Sequence, residues 1–468
     1  MFWVKNSSLS KRSIIPSFLS SDSILNRLAR RTGWMKRAAR SITPRYFVNS
    51  FLLAAAEGEA SFREVASNIG LHNNDTVSKQ ALWERTGAEA VDFFKRVLSK
   101  LINDAVMPET RCKISGVRRI LLQDSSVLPL DRSLAEVFPG SINQNKKLSA
   151  GLRLQAVFDL VNGESLSLEF HGYRERTDLA ASGDILSLIK KGDLVVRDLG
   201  YLVGKVLNEI GRKECFFLSR HINQRVVTLQ KTKERLDLAK YLSRHAAQTG
   251  DTVECEVLVG SGQHGAEAIE CRLVARRLPE ECINQRKREA KRKAKKQSKA
   301  SLSKKHMKLL EWEIYLTNLS GKQADAGTII ETYRLRWRIE NLFKALKSNT
   351  HGLLLAKHRS NPSHVQVLVL AWLCLVVMSA RTGYFAVSGT NPRPRKVFES
   401  KDSGDTAPPA RYEHEVSILK SIRRIYKLMA HSLFMAAVGN TAGAFKRIEQ
   451  QIKYHDRYEK RQKRKNLA

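Results

Sequence analysis

The spacing of apolar and polar residues divides the chain into a helical region and a region of strands. Apolar residues recur at helical spacing over about 27–107, and short apolar runs typical of buried strands begin after Cys112. The runs at 117–124, 152–161 and 194–196 are bounded by polar residues and turn formers. Strands joined partly by hairpins and partly by helices predict a mixed α/β sheet that follows a helical region.

Local patterns within the strand region predict how its elements are joined. Leu152–Val161 and Ser165–His171 are expected to form an antiparallel pair across a short turn. Leu179–Lys190 has the pattern of a helix, with Thr177 or Asp178 near its N-cap.

A helical pattern in the final third of the chain carries a distinctive set of polar side chains. From Tyr333 to Lys347 the sequence contains Tyr, Arg, Glu and Lys at offsets of 0, 3, 7 and 14 residues. On an α-helix these positions fall within a stripe about 60° wide, and apolar residues fill the neighbouring sector. One helix is therefore predicted to pack by its apolar side and to present Tyr333, Arg336, Glu340 and Lys347 together.

Three acidic residues from distant parts of the chain form the candidate catalytic and metal-binding set. Asp124 is predicted to end one strand, Asp198 follows another, and Glu340 lies on the helix predicted from Tyr333 to Lys347, called the signature helix below. Acids at the ends of central strands lie where α/β sheets place their active sites. Singly, each has an ordinary explanation, as a turn residue or as a salt-bridge partner of Arg336 or Lys344. Together, their oxygens suit a pair of Mg²⁺ or Mn²⁺ ions about 4 Å apart.

The net charge favours a nucleic acid partner. The 468 residues include 81 Lys and Arg against 46 Asp and Glu, which gives a formal charge of +35. This excess goes beyond what solubility requires and favours a polyanion. The basic run at 286–308 is either a solvated helix or loop, or a segment that follows a phosphate backbone.

The N-terminal helical region has two interpretations. Ser61–Gly70 and Val77–Arg85 are separated by a polar break and have the spacing of a helix–turn–helix. The functional interpretation is a DNA-recognition helix around Ser78–Arg85. The alternative is an ordinary helical hairpin, and the sequence leaves both open.

The signature helix and the acids together resemble a known family. The spacing on the helix matches the Y-x2-R-x3-E-x6-K signature of DDE transposases from bacterial insertion sequences. Asp198 begins a run, Asp-Leu-Gly-Tyr, that looks like the D-x-G-[YF] element around the second acid of that family. Asp124-Ser-Ser is similar to the element around the first acid. The resemblance covers about 115–355 and implies a ribonuclease-H-like catalytic core.

The resemblance implies a cut-and-paste transposase of a prokaryotic mobile element. Asp124, Asp198 and Glu340 would bind the metals, two ions of Mg²⁺ or Mn²⁺, and the substrates would be double-stranded DNA at the element ends and at the target. Metal-dependent hydrolysis at the element's end would free a 3′-hydroxyl, which would then attack target DNA. Members of the group often act as dimers and use a hairpin-ended intermediate, so a homodimer is expected in the DNA complex.

The other side chains of the signature helix are assigned to DNA binding. Arg336 and Lys347 are predicted to contact phosphates near the scissile bond, although either could be a surface cation, and Tyr333 would donate a hydrogen bond or position DNA. Trp337 would either stack on an unpaired base or serve as a partly buried anchor. The alternative functions are a metal-dependent nuclease without strand transfer and a non-catalytic DNA-binding regulator derived from a transposase.

Other features bear on the cellular setting. The six cysteines lack any C-x-x-C pair or matching histidine spacing, which argues against a zinc site or disulfides and suits a reducing cytoplasm. Val365–Ala380 is apolar but short for a membrane span and contains Gln366, so a buried core helix is expected. The prediction is a cytoplasmic, nucleoid-associated protein with no membrane partner.

Changes in composition divide the chain into predicted domains. The strand pattern is interrupted after Asp198 and resumes near Trp312, so the segment between them is interpreted as an insertion into the core. The predicted domains are a disordered leader (1–26), a helical DNA-binding domain (27–112), a ribonuclease-H-like core (113–211 and 309–388), a β-rich insertion with a basic exit (212–308), a linker (389–411) and a C-terminal helical region with a basic tail (412–468).

Overall fold

The fold is a mixed α/β architecture, as the sequence predicts. The computed structural model describes residues 16–38, 40–57, 61–73, 77–105, 114–142, 148–162, 164–221, 225–245, 248–260, 268–296, 302–336, 340, 343 and 361–388. The chain divides into two compact units, the first formed by 1–108, 128–152 and 341–468, the second by 109–127 and 153–340. The candidate site residues that the structure describes lie in the second unit.

The first unit is built from helices around an aromatic core. Phe47, Phe51, Phe93 and Phe94 are fully buried there, and their rings contact one another. Its elements include a 3-10 turn (Ser17–Ser20), α1 (Asp22–Arg31), α2 (Pro44–Glu57), α3 (Phe62–Asn73), α4 (Lys79–Glu84), α5 (Ala88–Ala105), a 3-10 turn (Arg132–Leu134), strand β2 (Pro139–Ile142) and α11 (Pro362–Ser388).

Two boundaries in the first unit differ from those predicted. Residues 16–26, assigned to a disordered leader, form the 3-10 turn and the first half of α1, because Phe18, Leu19 and Leu25 are buried in the helical core. Helix α11, assigned to the catalytic core, packs in this unit against α2 and α5. Helices α3 and α4 form the two-helix arrangement that the sequence predicts, and their role in reading DNA stays a prediction.

Helix α11 contains the apolar segment Val365–Ala380, which the sequence predicts to be a buried core helix. Pro362–Ser379 is long and apolar enough to cross a membrane by length and composition, yet 83% of this segment is buried. Burial of this kind is what a core helix requires, since its apolar surface is then covered by neighbouring helices.

The second unit is organised around a mixed sheet. The strand order is β3-β1-β5-β6-β10-β9-β8-β7, and β4 pairs with β3 as the predicted hairpin requires. The strands are β1 (Arg119–Leu130), β3 (Leu148–Asp159), β4 (Glu164–Gly172), β5 (Asp193–Arg197), β6 (Phe216–Arg220), β7 (Val227–Leu229), β8 (Thr252–Val259), β9 (Ile269–Arg277) and β10 (Trp312–Thr317).

The central strands fix the relative position of two of the acids. Strand β5 runs parallel to β1 and to β6, and it is buried along its whole length, as a parallel strand covered on both faces should be. The parallel register ends where Gln123 lies opposite Arg197. The next residues, Asp124 and Asp198, therefore lie side by side at the same end of the sheet.

The sheet corrects two details of the prediction. Asp124 does not end its strand, because β1 continues to Leu130 with Leu128 and Leu130 buried. The assigned insertion also begins too early, since β6 lies inside the core sheet between β5 and β10. Strands β7–β9 extend that same sheet in antiparallel fashion instead of forming a separate one.

Helices of the second unit pack against the sheet. The described helices of the second unit are α6 (Gly204–Arg212), α7 (Leu238–His245), α8 (Glu280–Lys296), α9 (Lys304–Leu309) and α10 (Ala326–Arg334). The segment predicted as a helix at 179–190 is instead a 3-10 helix over Ala180–Ser187. Its Ile185 joins Leu207 and Leu242 in one apolar core with the sheet.

Helix α10 brings the first residue of the signature into place. Asp325 caps its N-terminus by accepting a 2.7 Å hydrogen bond from the backbone N–H of Thr328. The helix ends at Arg334, and Leu335 forms its C-cap. Tyr333 and Arg336 therefore lie on either side of a turn, so the predicted uninterrupted helix from Tyr333 is wrong at this point.

Replacement of Asp325 by Ala is expected to lower the free energy of unfolding by about 1 kcal/mol at neutral pH, because the N-cap bond is lost. Hydrogen bonds from the Thr328 side chain and backbone lower the pKa of Asp325 below its ordinary 3.8. The stabilisation is therefore present above that value and is lost as the pH falls through the lower folded-state pKa. Urea unfolding at pH 7 and pH 3 measures this, and Asp325→Asn, which retains a capping oxygen, is the control. A loss in Asp325→Ala that is equally large at pH 3 would contradict this explanation.

Candidate active site

One buried guanidinium lies between the three predicted acids. Arg336 Nη1 is 3.4 Å from Oδ2 of Asp124, and its Nη2 is 3.8 Å from Oδ1 of Asp198 and also pairs with Oε1 of Glu340. The Arg336 side chain is only 9% exposed. The structure thus brings together the acids that the sequence singled out, and it places a cation among them.

Asp124 is the most deeply buried of the three acids. Burial raises its pKa to about 7, and the negative charges of Asp198 and Glu340 add to this rise. Arg336 and a 2.9 Å hydrogen bond from the backbone N–H of Ser125 oppose it. Additional positive charge at this point would favour the ionised carboxylate, which is the form that binds metal ions.

Tyr333 contacts the same cluster from α10. Its hydroxyl donates a 3.2 Å hydrogen bond to Oδ1 of Asp198, and the Arg336 guanidinium lies 5.3 Å from its ring centroid. Burial raises the pKa of Tyr333, so the phenol stays protonated and acts as a donor. Burial disfavours the charged form of Arg336, but Tyr333 and the acids outweigh this effect and raise the pKa of Arg336.

The donor set fits a divalent cation in kind, and its present arrangement is centred on Arg336. Three carboxylates supply the hard oxygen ligands that Mg²⁺ and Mn²⁺ prefer. Within the described residues, however, no group of three acidic, histidine or cysteine side chains lies close enough to chelate a metal ion as it stands. The positive charge between the acids is that of the Arg336 guanidinium.

A fourth acid, which the sequence offered only as a helix cap, supports the cluster. The Asp178 carboxylate accepts 2.6 Å hydrogen bonds from the Ser125 hydroxyl and from Nη1 of Arg153. Asp178 does not cap the 3-10 helix that follows, whose N-cap is Leu179, and it is the Thr177 hydroxyl oxygen that accepts from the N–H of Ala180. Because Ser125 follows Asp124 directly, Asp178 holds the strand next to the predicted catalytic acid.

Asp178 also explains the glycine that follows Asp198. Gly200 lies in a 3-10 turn (Leu199–Tyr201), and its φ is outside the left-handed region. A Cβ at this position would lie 3.0 Å from Oδ2 of Asp178 and 3.2 Å from its Cβ. Glycine is therefore favoured by the close approach of Asp178 and not by the backbone angle.

The residues that precede the two aspartates join their strands on the opposite face. Arg197 is fully buried, and its Nη2 donates to Oε1 of Gln123 and, at 2.7 Å, to the carbonyl of Ser182. Burial lowers the pKa of Arg197 to about 9. Because successive strand residues point to opposite faces, this bond ties β1 to β5 directly behind Asp124 and Asp198.

The predicted DNA-binding residues fall into two groups. Trp337 and Lys347 lie outside the described residues. Tyr333 and Arg336 are buried and engaged by carboxylates, so their predicted contacts with DNA stay predictions. The sequence does not single out Arg153 or Arg197, and it offers Asp178 only as a cap, because each belongs to an ordinary strand or turn pattern and only tertiary contacts reveal its role.

The mixed sheet and its three converging acids are consistent with a ribonuclease-H-like core. A family model for the transposase DDE domain matches residues 115–378. Because this match covers more than half of the chain, the protein belongs to the transposase DDE domain family.

Curated relatives agree with this assignment. The transposase for insertion sequence element IS231C of Bacillus thuringiensis subsp. berliner is 26% identical over 350 residues, which cover 70% of each chain. The IS231B transposase of the same organism is 25% identical over 362 residues, covering 72% of this chain and 71% of the relative. The IS1151 transposase of Clostridium perfringens is 25% identical over 350 residues, covering 69% and 70%.

Substitution of Gly200 by Ala is expected to cost about 1–3 kcal/mol of stability, because the new methyl group must displace an Asp178 side chain held by two hydrogen bonds. Gly183→Ala is the matched control, since it also lies in a 3-10 helix and a Cβ there meets nothing within 4 Å. Chemical denaturation of both variants measures the difference. Equal stability of Gly200→Ala and wild type would show that Asp178 yields freely.

Proposed function

We propose that this protein is a cut-and-paste transposase that binds the ends of its mobile element, hydrolyses a phosphodiester there and joins the freed end to target DNA. The observation that carries the proposal is the convergence of Asp124, Asp198 and Glu340 on one point of the core, combined with membership of the transposase DDE domain family. The charge of +35 supports DNA as the partner.

Asp124, Asp198 and Glu340 are the residues that would hold Mg²⁺ or Mn²⁺, two ions in the fully loaded site. Bound there, the metal would supply charge stabilisation at the phosphodiester and lower the pKa of an attacking water. The raised pKa of Asp124 supports this, since a burial-destabilised carboxylate gains most from a nearby cation.

The protein's own residues would orient these groups. The Tyr333 hydroxyl holds Asp198, and Asp178 holds the Ser125 side chain beside Asp124. Arg336 shields the three negative charges from one another, and when the acids turn to a metal its guanidinium would be released towards a DNA phosphate. In this way one side chain would serve both the arrangement described here and the predicted DNA contact.

Strand transfer separates this proposal from a nuclease that only cuts. In the first step, water attacks phosphorus and the element's 3′ oxygen leaves; in the second, that 3′-hydroxyl attacks a target phosphodiester and displaces another 3′ oxygen. Dimer formation on DNA and passage through a hairpin intermediate remain parts of the proposal that rest on the resemblance.

Replacement of Glu340 by Gln is expected to reduce Mg²⁺-dependent cutting more than about 100-fold and to leave DNA binding largely intact. The carboxylate contributes several kcal/mol of metal-dependent stabilisation, and each 1.36 kcal/mol is about tenfold in rate. The matched control is Glu331→Gln, the same change at an exposed position of α10. EDTA should abolish cutting by the wild type, and added Mg²⁺ or Mn²⁺ should restore it.

The substrate for this assay is an end-labelled duplex made from the DNA that flanks the coding sequence. The wild type should release a 3′-hydroxyl end and join it to a supercoiled target plasmid. Cutting without joining would favour the nuclease, and binding without cutting would favour the regulator. Full cutting by Glu340→Gln would remove Glu340 from the catalytic set.

A further inference from the structure

Helix α8 carries a surplus of positive charge that the rest of the second unit does not neutralise. Its outer positions include exposed cations that form no ion pair with any described residue, namely Arg288, Lys291, Arg292, Lys293 and Lys295. Only its first turns are neutralised, through Lys287 with Glu311 and Arg286 with Glu313. Most of the helix therefore offers charge to a partner.

One side of α8 forms the wall of a basic cavity. A cavity of about 390 Å³ lies between α8, α9 and the end of β6. Arg220, Arg286, Lys293 and His306 line it, and Glu289 is its one carboxylate among the described residues. The arginine and lysine side chains thus come from two separate elements of the fold, α8 and β6, and their convergence is tertiary and not a property of the basic run alone.

The cations of the cavity are not balanced by the protein. Burial lowers the pKa of Arg286, and the positive charge of Arg220 lowers it further. Glu313, the partner of Arg286 at 3.8 Å, is already bound more closely by Arg276 at 2.8 Å. No carboxylate in the described part of the chain forms an ion pair with Arg220. An anion in this cavity would relieve the repulsion between the two guanidinium groups.

A series of side-chain contacts connects one wall of the cavity to the candidate active site. Arg220 is the last residue of β6 and lies opposite Tyr315 on β10. The Tyr315 ring contacts that of Tyr333 with centroids 4.8 Å apart, and Tyr333 donates to Asp198. The charge of Arg220 is felt at both phenols, since it opposes the burial that raises the pKa of each. Arg220 therefore links the basic cavity to the acids.

We propose that the cavity between α8, α9 and the end of β6 binds the phosphodiester backbone of the DNA strand that leads into the active site, with Arg220, Arg286 and Lys293 as its phosphate ligands. The proposal rests on the proposed function, because it names a contact made by the DNA that is cut. Charge complementarity, and the contacts that connect Arg220 to Asp198 through two tyrosines, favour a DNA strand over a small anion.

The salt dependence of DNA binding tests this contact. The probe is a labelled 30-base-pair duplex made from the DNA that flanks the coding sequence, and its affinity is measured between 50 and 300 mM salt. Lys293→Ala and Arg220→Ala should each weaken binding and reduce the slope of log K against log[salt] by about 0.9, the value for one lost phosphate contact. Lys293 is exposed, so its replacement should not disturb folding.

The matched control is Lys291→Ala, which removes the same charge from an exposed position of the same helix that does not line the cavity. Its slope should equal that of the wild type. A slope change as large in Lys291→Ala as in Lys293→Ala would overturn the proposal in favour of diffuse charge. Wild-type slopes in both cavity variants would also overturn it.

Two further outcomes separate this inference from the function on which it rests. Failure of the wild type to bind or cut the duplex would reject the proposed function itself. If the wild type binds DNA, but the cavity variants lose only the binding of inorganic pyrophosphate measured by calorimetry, the cavity is a small-anion site and the inference alone fails.

Discussion

The charge cluster around Arg336 is the interaction on which the rest of the site depends. Three carboxylates this close together repel one another, and burial, with the charges of Asp198 and Glu340 adding to it, raises the pKa of Asp124 to about 7. A buried guanidinium that contacts all three offsets this repulsion. Removing one partner of such a buried set typically costs about 3–5 kcal/mol, since it leaves uncompensated charge. The acids can therefore be held close together only while a cation lies among them.

This requirement connects the scaffold to catalysis. The parallel register of β1 and β5 sets Asp124 beside Asp198, while the bond between Arg197 and Gln123 fixes the strands from the other face. Asp178 accepts a hydrogen bond from the Ser125 hydroxyl, next to Asp124. This arrangement places three negative charges close together. It is suited to the exchange of one cation, the guanidinium, for another, a divalent metal. The exchange would free Arg336 only when the metal is present.

The sequence predicts the mixed sheet and the convergence of three acids, for identifiable reasons. Asp198 follows a short run of buried β-branched residues, and the spacing of Tyr333, Arg336 and Glu340 is a pattern along the chain. Local patterns do not reveal which strands pair, so β6 was placed in the insertion although it pairs with β5 in the core. The sequence also does not predict the turn at Leu335, because helical periodicity continues across it. Asp178 and Arg197 act through partners far away in sequence, which no local pattern encodes.

The most direct test of the central claim is to map the site with Fe²⁺ in place of Mg²⁺. With ascorbate and peroxide, bound Fe²⁺ generates hydroxyl radicals that cut the polypeptide close to its ligands, and mass spectrometry locates the cuts. Convergence of the three acids predicts cuts near residues 124, 198 and 340 together, all suppressed by excess Mg²⁺ and all lost in Asp124→Asn. Cuts confined to one of these segments, or found elsewhere, would contradict a shared metal site.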